Sequence, residues 1–215
     1  MIDKLNPKQV KEMLIYTADK VIEQKPYLTE IDSAIGDGDH GIGMAGGMLK
    51  AKAKLKNQEY ESVYDVFADA GKAMLMSMGG ASGVIFGSLY LAGAKGMEPK
   101  RELTAADLTV MMRRSLEAIK ERGKAQPGDK TMVDALEPAV LAMESAHAQG
   151  LPEMLRAAET AAKQGMEDTK NYVAKFGRAK SLMERAVGYQ DAGATSVWLI
   201  FQGMREYVEG NKIRA

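Results

Sequence analysis

Between Ile31 and Met48 the chain reads IDSAIGDGDHGIGMAGGM, a stretch that sets three carboxylates, Asp32, Asp37 and Asp39, inside an eight-residue span with His40 alongside. Glycines at 36, 38 and 41 free the backbone to take positive φ and turn tightly, so these side chains can converge on one point. Converging carboxylates repel one another, and the cluster is stable when a cation neutralises it. A donor set of carboxylate oxygens selects a hard ion, Mg²⁺ or Ca²⁺, over zinc. The bland alternative is a solvated Asp/Gly loop with nothing bound.

Two known signatures are excluded. With Asp37 at position 1 of an EF-hand loop, Asp39 falls correctly at 3, but Gly41 occupies 5 and Met48 occupies 12, where a bidentate Glu is required. Gly41 to Gly46 matches G-x-G-x-x-G letter for letter, yet the residues before it offer no strand, so the dinucleotide-binding context is missing.

Composition narrows the function classes. The 215 residues suggest a single domain over 1–215, large enough to bury a substantial core. Lys plus Arg and Asp plus Glu both number 29, and a neutral chain without a basic stripe argues against nucleic acid as partner. Without cysteine, disulfides, thiolate metal sites and cysteine nucleophiles are unavailable. The opening MIDKLNPKQVKEML is charged where a signal peptide needs an apolar run, and no 18-residue apolar segment follows. The expectation is a soluble cytoplasmic protein with no membrane association. Sixteen Met against four Phe and one Trp point to an aliphatic, adaptable core suited to helix packing.

Apolar spacing predicts helix after helix. Asn6-Pro7 reads as a cap and first turn, with Val10, Met13, Leu14, Thr17 and Val21 on one face and an end before Pro26. Further helices are predicted from near Gly41 to Leu55, over 62–78, and from Val84 to Gly96. Another runs from Thr104, with Asp107 completing a capping box, to Gly123. Two more occupy Met132 to Met143, bent by Pro138, and Gly150 to about Tyr172. A short helix around Leu182 to Ala186 precedes the last one, which carries Val197, Trp198, Phe201, Met204 and Val208. The fold class is therefore all-α: one antiparallel bundle or closed ring of about eight helices. Glycine-rich loops recur at its junctions (36–47, 79–83, 123–131 and 188–194), where loops gathered at one end can build a site together. The turn at 79–83, with Ser82 at a helix start, is a generic anion cradle or simply a capped interhelical turn. No Walker A pattern occurs. His147 reads as a surface residue and Arg178, between small residues, as one able to reach inward.

Four segments in order, AIGDGDHG, GGASG with its apolar helix, RGKAQPGDKTM followed by Val-Asp, and FGRA…ERAVGYQDAGATS, closely resemble the nucleotide-binding L subunit of dihydroxyacetone kinase, from about residue 28 to 200. The resemblance implies an eight-helix antiparallel barrel holding ADP or ATP at one end through Mg²⁺, two ions being expected. It implies Asp32, Asp37 and Asp39 as metal ligands, with His40, Gly41, Ile42 and Gly43 at the phosphates. Ala81 and Ser82 would meet phosphates or sugar, Gly123 and Met132 would line the pocket, and Arg178 with Asp191, Ala192 and Gly193 would close it. Arg178 is the residue expected to act in catalysis, offsetting developing negative charge. Gly43 stands where the family often has Asn, and Asp191-Ala-Gly where it often has Asp-Pro-Gly.

No residue here is an evident anchor for a sugar, which fits a family in which a partner K subunit holds the triose. A phosphocarrier M subunit would rephosphorylate bound ADP, unless the chain exchanges ATP directly; a homodimer is a further expectation. Two other classes stay open: a non-catalytic nucleotide-binding regulator, and a Ca²⁺-stabilised helical module without nucleotide.

Overall fold

Asn6 opens the first helix by accepting a hydrogen bond from the Gln9 amide at 2.9 Å, while the Gln9 side chain accepts from the Asn6 amide at 2.9 Å. In the computed structural model, which describes residues 4–211 apart from the side chains of Ala81 and Asn211, this is α1 (Pro7–Glu23). There follow α2 (Lys25–Ile35), α3 (His40–Lys56), α4 (Val63–Ser77), α5 (Gly80–Ala94), α6 (Ala105–Gly123), α7 (Val133–Ala146), α8 (Leu151–Asp168) and α9 (Ala192–Asn211). Three 3₁₀ segments and a two-residue antiparallel pairing of β1 (Lys4–Leu5) with β2 (Leu103–Thr104) complete the described chain.

Eight of these helices close a ring. Going round, α1 packs on α3, then α4, α5, α6, α7, α8 and α9 follow, and α9 packs back on α1. One large buried cluster runs through the middle, from Leu5 to Val208, with Phe67 and Phe201 its most deeply buried aromatic members and Met13, Met44, Met74, Met111, Met143 and Met204 fully enclosed. Thioethers fill the irregular space between ring members, as the Met-rich, Phe-poor composition implied. The apolar faces expected for α1 and α9 are the buried faces, with Trp198 half-buried at the edge of the second.

Alternate junctions return to the same end. There His40 at the start of α3 meets Ser196 in α9, Met132 before α7 meets Gly193, and Gly123 at the end of α6 lies near Ile85 of α5. The β1–β2 pair and the Val63 amide bond to the Lys100 carbonyl lie with the opposite junctions.

Three boundaries differ from expectation. The first helix does end before Pro26, at Glu23, but Pro26 then sits in the first turn of a further, unexpected helix, α2, where its missing N–H costs nothing, and α2 lies against α3 outside the ring. The segment from Arg178 to Ala186 is 3₁₀, interrupted at Met183 with φ +50°, rather than a short α-helix. Helices α5 and α9 begin earlier than predicted, so Ser82, Ala192 and Gly193 belong to first turns. No helix among the described residues is long and apolar enough to cross a membrane.

Candidate functional site

Asp32 stands on the last turn of α2, and Asp37 and Asp39 on the turn that enters α3. One oxygen from each carboxylate lies within 4.8 Å of the others. Two glycines permit this: a Cβ on Gly36 would fall 2.3 Å from Asp32 Oδ1, and Gly38 takes φ +76° above Ser33. Burial, then the charges of Asp37 and Asp32, push the Asp39 carboxyl above its ordinary range, with Arg178 opposing them. Three carboxylates in this arrangement, all oxygen and half open to solvent, fit a hard divalent ion of the Mg²⁺ class.

His40 joins three helices at the edge of this triad. Its amide donates to Asp32 Oδ2 at 3.1 Å, its ring Nε2 lies 2.8 Å from Ser196 Oγ, and its ring meets Phe86 edge-on with centroids 5.8 Å apart. Burial lowers its pKa, opposed by the Asp32 charge and a bond to the backbone at Ala192, so the imidazole is a neutral positioning group. Gly41 is buried, and a Cβ there would lie 2.3 Å from Thr29 Oγ1; it lets α3 approach α2 rather than facing the rim. Gly43 faces open space and Ile42 is 57% exposed.

Arg178 reaches the triad from far along the chain, its Nε 2.8 Å from Asp37 Oδ2. Asp191 caps α9, accepting from the Ala194 amide at 2.7 Å, while its own amide donates to Thr169 Oγ1 at 2.9 Å. Burial pushes the Asp191 carboxyl up to about 7. A Cβ on Gly193 would sit 3.4 Å from Met132 Cβ, so these two expected pocket residues are neighbours. Ser82 lies in the first turn of α5, on the helix whose Phe86 touches His40; the Ala81 side chain lies outside the described residues. A shallow cleft of about 450 Å³ at the opposite end, along Thr104 to Ala106 and His147 to Gly150, holds no acidic cluster.

Sequence reasoning missed Ser196, Asp134 and Lys130. Asp134 accepts from the Gly128 amide at 2.5 Å and the Thr131 amide at 2.7 Å, and Thr131-x-x-Asp134 is a capping pattern that was there to be read. Lys130, φ +61°, is 2% exposed and donates to the carbonyls of Thr169, at 2.6 Å, and Tyr189. Neither Lys130 nor Ser196 carries a local signal.

Comparison with known proteins places these residues in context. The family model described as the DAK2 domain matches residues 34–206. The chain is 36% identical over 200 residues to the protein named PEP-dependent dihydroxyacetone kinase, ADP-binding subunit DhaL, of Escherichia coli (strain K12), covering 92% of this chain and 95% of that one. It is 38% identical over 186 residues to a protein of Listeria innocua named PEP-dependent dihydroxyacetone kinase 1, ADP-binding subunit DhaL, covering 86% and 89%. The crystal structure of the dihydroxyacetone kinase from C. freundii in complex with AMP-PNP and Mg²⁺ superposes with a TM-score of 0.68 at 26% identity, covering 92% of this chain and 33% of that one. The chain thus spans about a third of that solved kinase.

Proposed function

This chain belongs to the DAK2 domain family, and on that premise we propose that it is the nucleotide-binding subunit of a dihydroxyacetone kinase, one nucleotide-binding domain across residues 1–215. It passes a phosphoryl group from Mg-bound nucleotide to dihydroxyacetone or a similar short ketose held by a partner subunit. The observation that carries this is the convergence of Asp32, Asp37 and Asp39 beside the starts of α3 and α9, with Arg178 on Asp37.

Asp32, Asp37 and Asp39 would hold Mg²⁺, and two ions are within the capacity of three carboxylates. An ion held by these carboxylates would neutralise the phosphate chain and the charge that develops in transfer. The amides at the start of α3, where Gly43 leaves room for an oxygen, and those at the start of α5 near Ser82 would donate to phosphate oxygens. Gly123, Met132 and Gly193 flank the remainder of the nucleotide. Arg178, on an exposed segment, turns from Asp37 towards the transferring group.

The donor we propose is a phosphocarrier of the phosphotransferase system, with ADP kept as cofactor; the PEP-dependent relatives support it. The AMP-PNP complex of the C. freundii kinase favours a second reading, direct use of ATP. A K-type partner must dock on this rim, because His40 is engaged with Ser196, His147 is remote, and no other sugar anchor is at hand among the described residues. Exposed Ile42, Met76 and Val84 near it support such docking. Homodimers would bring together two sites, each formed within one chain. The cytoplasm is the expected location.

Nucleotide content after purification and extensive dialysis in Mg²⁺ tests the reading. Roughly stoichiometric ADP is expected. A site that neither retains ADP nor fills with Mg-ADP or Mg-ATP would overturn it.

A further inference from the structure

We infer that Lys130 is a positioning residue that sets how long nucleotide stays bound, by pinning the segment that carries Arg178 to the loop that carries Met132. This rests on the nucleotide-binding reading above. Lysine is rarely enclosed, and it rarely takes positive φ, where its Cβ crowds the following carbonyl. Lys130 does both. Its two bonded partners are main-chain carbonyls, at Thr169 and Tyr189, with Asp191 and Asp134 supplying charge from further off.

These partners define a strap. From Lys175 to Tyr189 the chain is mostly exposed, and Arg178 lies within it. Both of its ends are fastened to the loop before α7. At one end the Lys175 amide donates to the Asp129 carbonyl at 3.2 Å and Lys175 Nζ meets Asp129 Oδ1 at 2.6 Å. At the other, Lys130 holds Tyr189, two residues before the Asp191 cap. The first fastening pairs an exposed lysine, open to solvent screening, with a buried carboxylate beside one main-chain bond. The second is enclosed, and removing its ammonium leaves the Tyr189 carbonyl short of a donor and the Thr169 carbonyl with the Tyr172 amide, 3.2 Å away. Lys130 is also two residues from Met132, so the same bond fixes Met132 against Gly193. Loosening it frees Arg178 and widens the pocket together, without touching Asp32, Asp37 or Asp39.

The test compares the unsubstituted protein with Lys130→Met and Lys130→Arg, using a fluorescent N-methylanthraniloyl-ADP with Mg²⁺ in stopped flow. Lys130→Met should speed dissociation at least tenfold with association within twofold, while Lys130→Arg, which keeps a donor, should recover most of the slow dissociation. Mn²⁺ affinity without nucleotide should stay within twofold in both. Dissociation unchanged in folded Lys130→Met would overturn the inference, as would Mn²⁺ affinity falling in step, which marks general collapse of the site. Should Lys130→Met fail to fold, hydrogen exchange on the unsubstituted protein decides: Mg-ADP must slow exchange at 128–131 and 187–191 together, and protection of one stretch alone overturns the inference. If the unsubstituted protein binds no nucleotide, the proposed function falls first, and this with it.

Discussion

Arg178 Nε lies 2.8 Å from Asp37 Oδ2, yet the arginine side chain is 77% exposed. An ion pair this open to water contributes little and exchanges partners readily. Arg178→Gln should therefore leave divalent-ion affinity without nucleotide unchanged or slightly raised, while phosphoryl transfer with a cognate sugar-binding subunit falls about 10- to 1,000-fold. Mn²⁺ titration by electron paramagnetic resonance and a coupled assay measure the two. Parallel losses in both would make Arg178 part of the scaffold instead.

Asp37→Asn or Asp39→Asn removes one oxygen donor charge from the triad. At Mg-ADP one hundred times its dissociation constant, the native chain gains about 2.7 kcal/mol, which corresponds to roughly 5–10 °C in melting temperature for a chain of this size. Either substitution should abolish that rise with the far-ultraviolet dichroism intact. A full rise in both variants would exclude these carboxylates as ligands.

Gly41 and Gly43, two residues apart, should respond oppositely to alanine. A Cβ added at Gly41 would stand 2.3 Å from Thr29 Oγ1 and 2.5 Å from the Lys25 carbonyl oxygen, so Gly41→Ala must push α2 from α3 and costs about 1–3 kcal/mol. Gly43 has nothing within 4 Å, so Gly43→Ala gains about 0.5–1 kcal/mol of helix propensity. Denaturant unfolding of both variants reads the two signs directly.

Asp191 makes stability depend on pH in a specific direction. Burial raises its folded pKa to about 7, so between the usual carboxylate range and pH 7 the folded chain keeps a proton that the unfolded chain has released. Its contribution to stability is thus present at low pH and declines as pH rises towards 7, levelling off above. Asp191→Asn, which can still cap α9, should remove this decline. The stability difference between the two chains, followed from pH 4 to 8, isolates it from the other carboxylates. A pH-independent difference would show Asp191 ionised throughout.

The parts of this architecture that were legible are those whose causes lie close together in sequence. Asn6 with Gln9 and Thr104 with Asp107 announce helix starts because both partners of each reciprocal bond sit three residues apart. The triad was legible for the same reason, five residues separating Asp32 from Asp37. Pro26 marked the end of α1 correctly but hid α2, because a proline that follows one helix suits the first turn of the next equally well. Asp191 reads as a loop residue until its bond to the Ala194 amide identifies it as a cap. Lys130 and Ser196 were invisible, since their partners lie 39, 59 and 156 residues away.

The closing of α9 on α1 fixes when the protein can become active. One seam of the ring joins α9 to α1 across nearly two hundred residues, and Ser196 and Asp191, which stand around His40, come from α9 and its cap. Contacts this distant in sequence form late and slow a fold down. On the ribosome the acidic turn emerges well before α9 and stays without its α9 neighbours until that helix has been made. Assembly of the candidate site therefore waits for α9, and a chain truncated before it would carry the acidic turn without the ring that organises it.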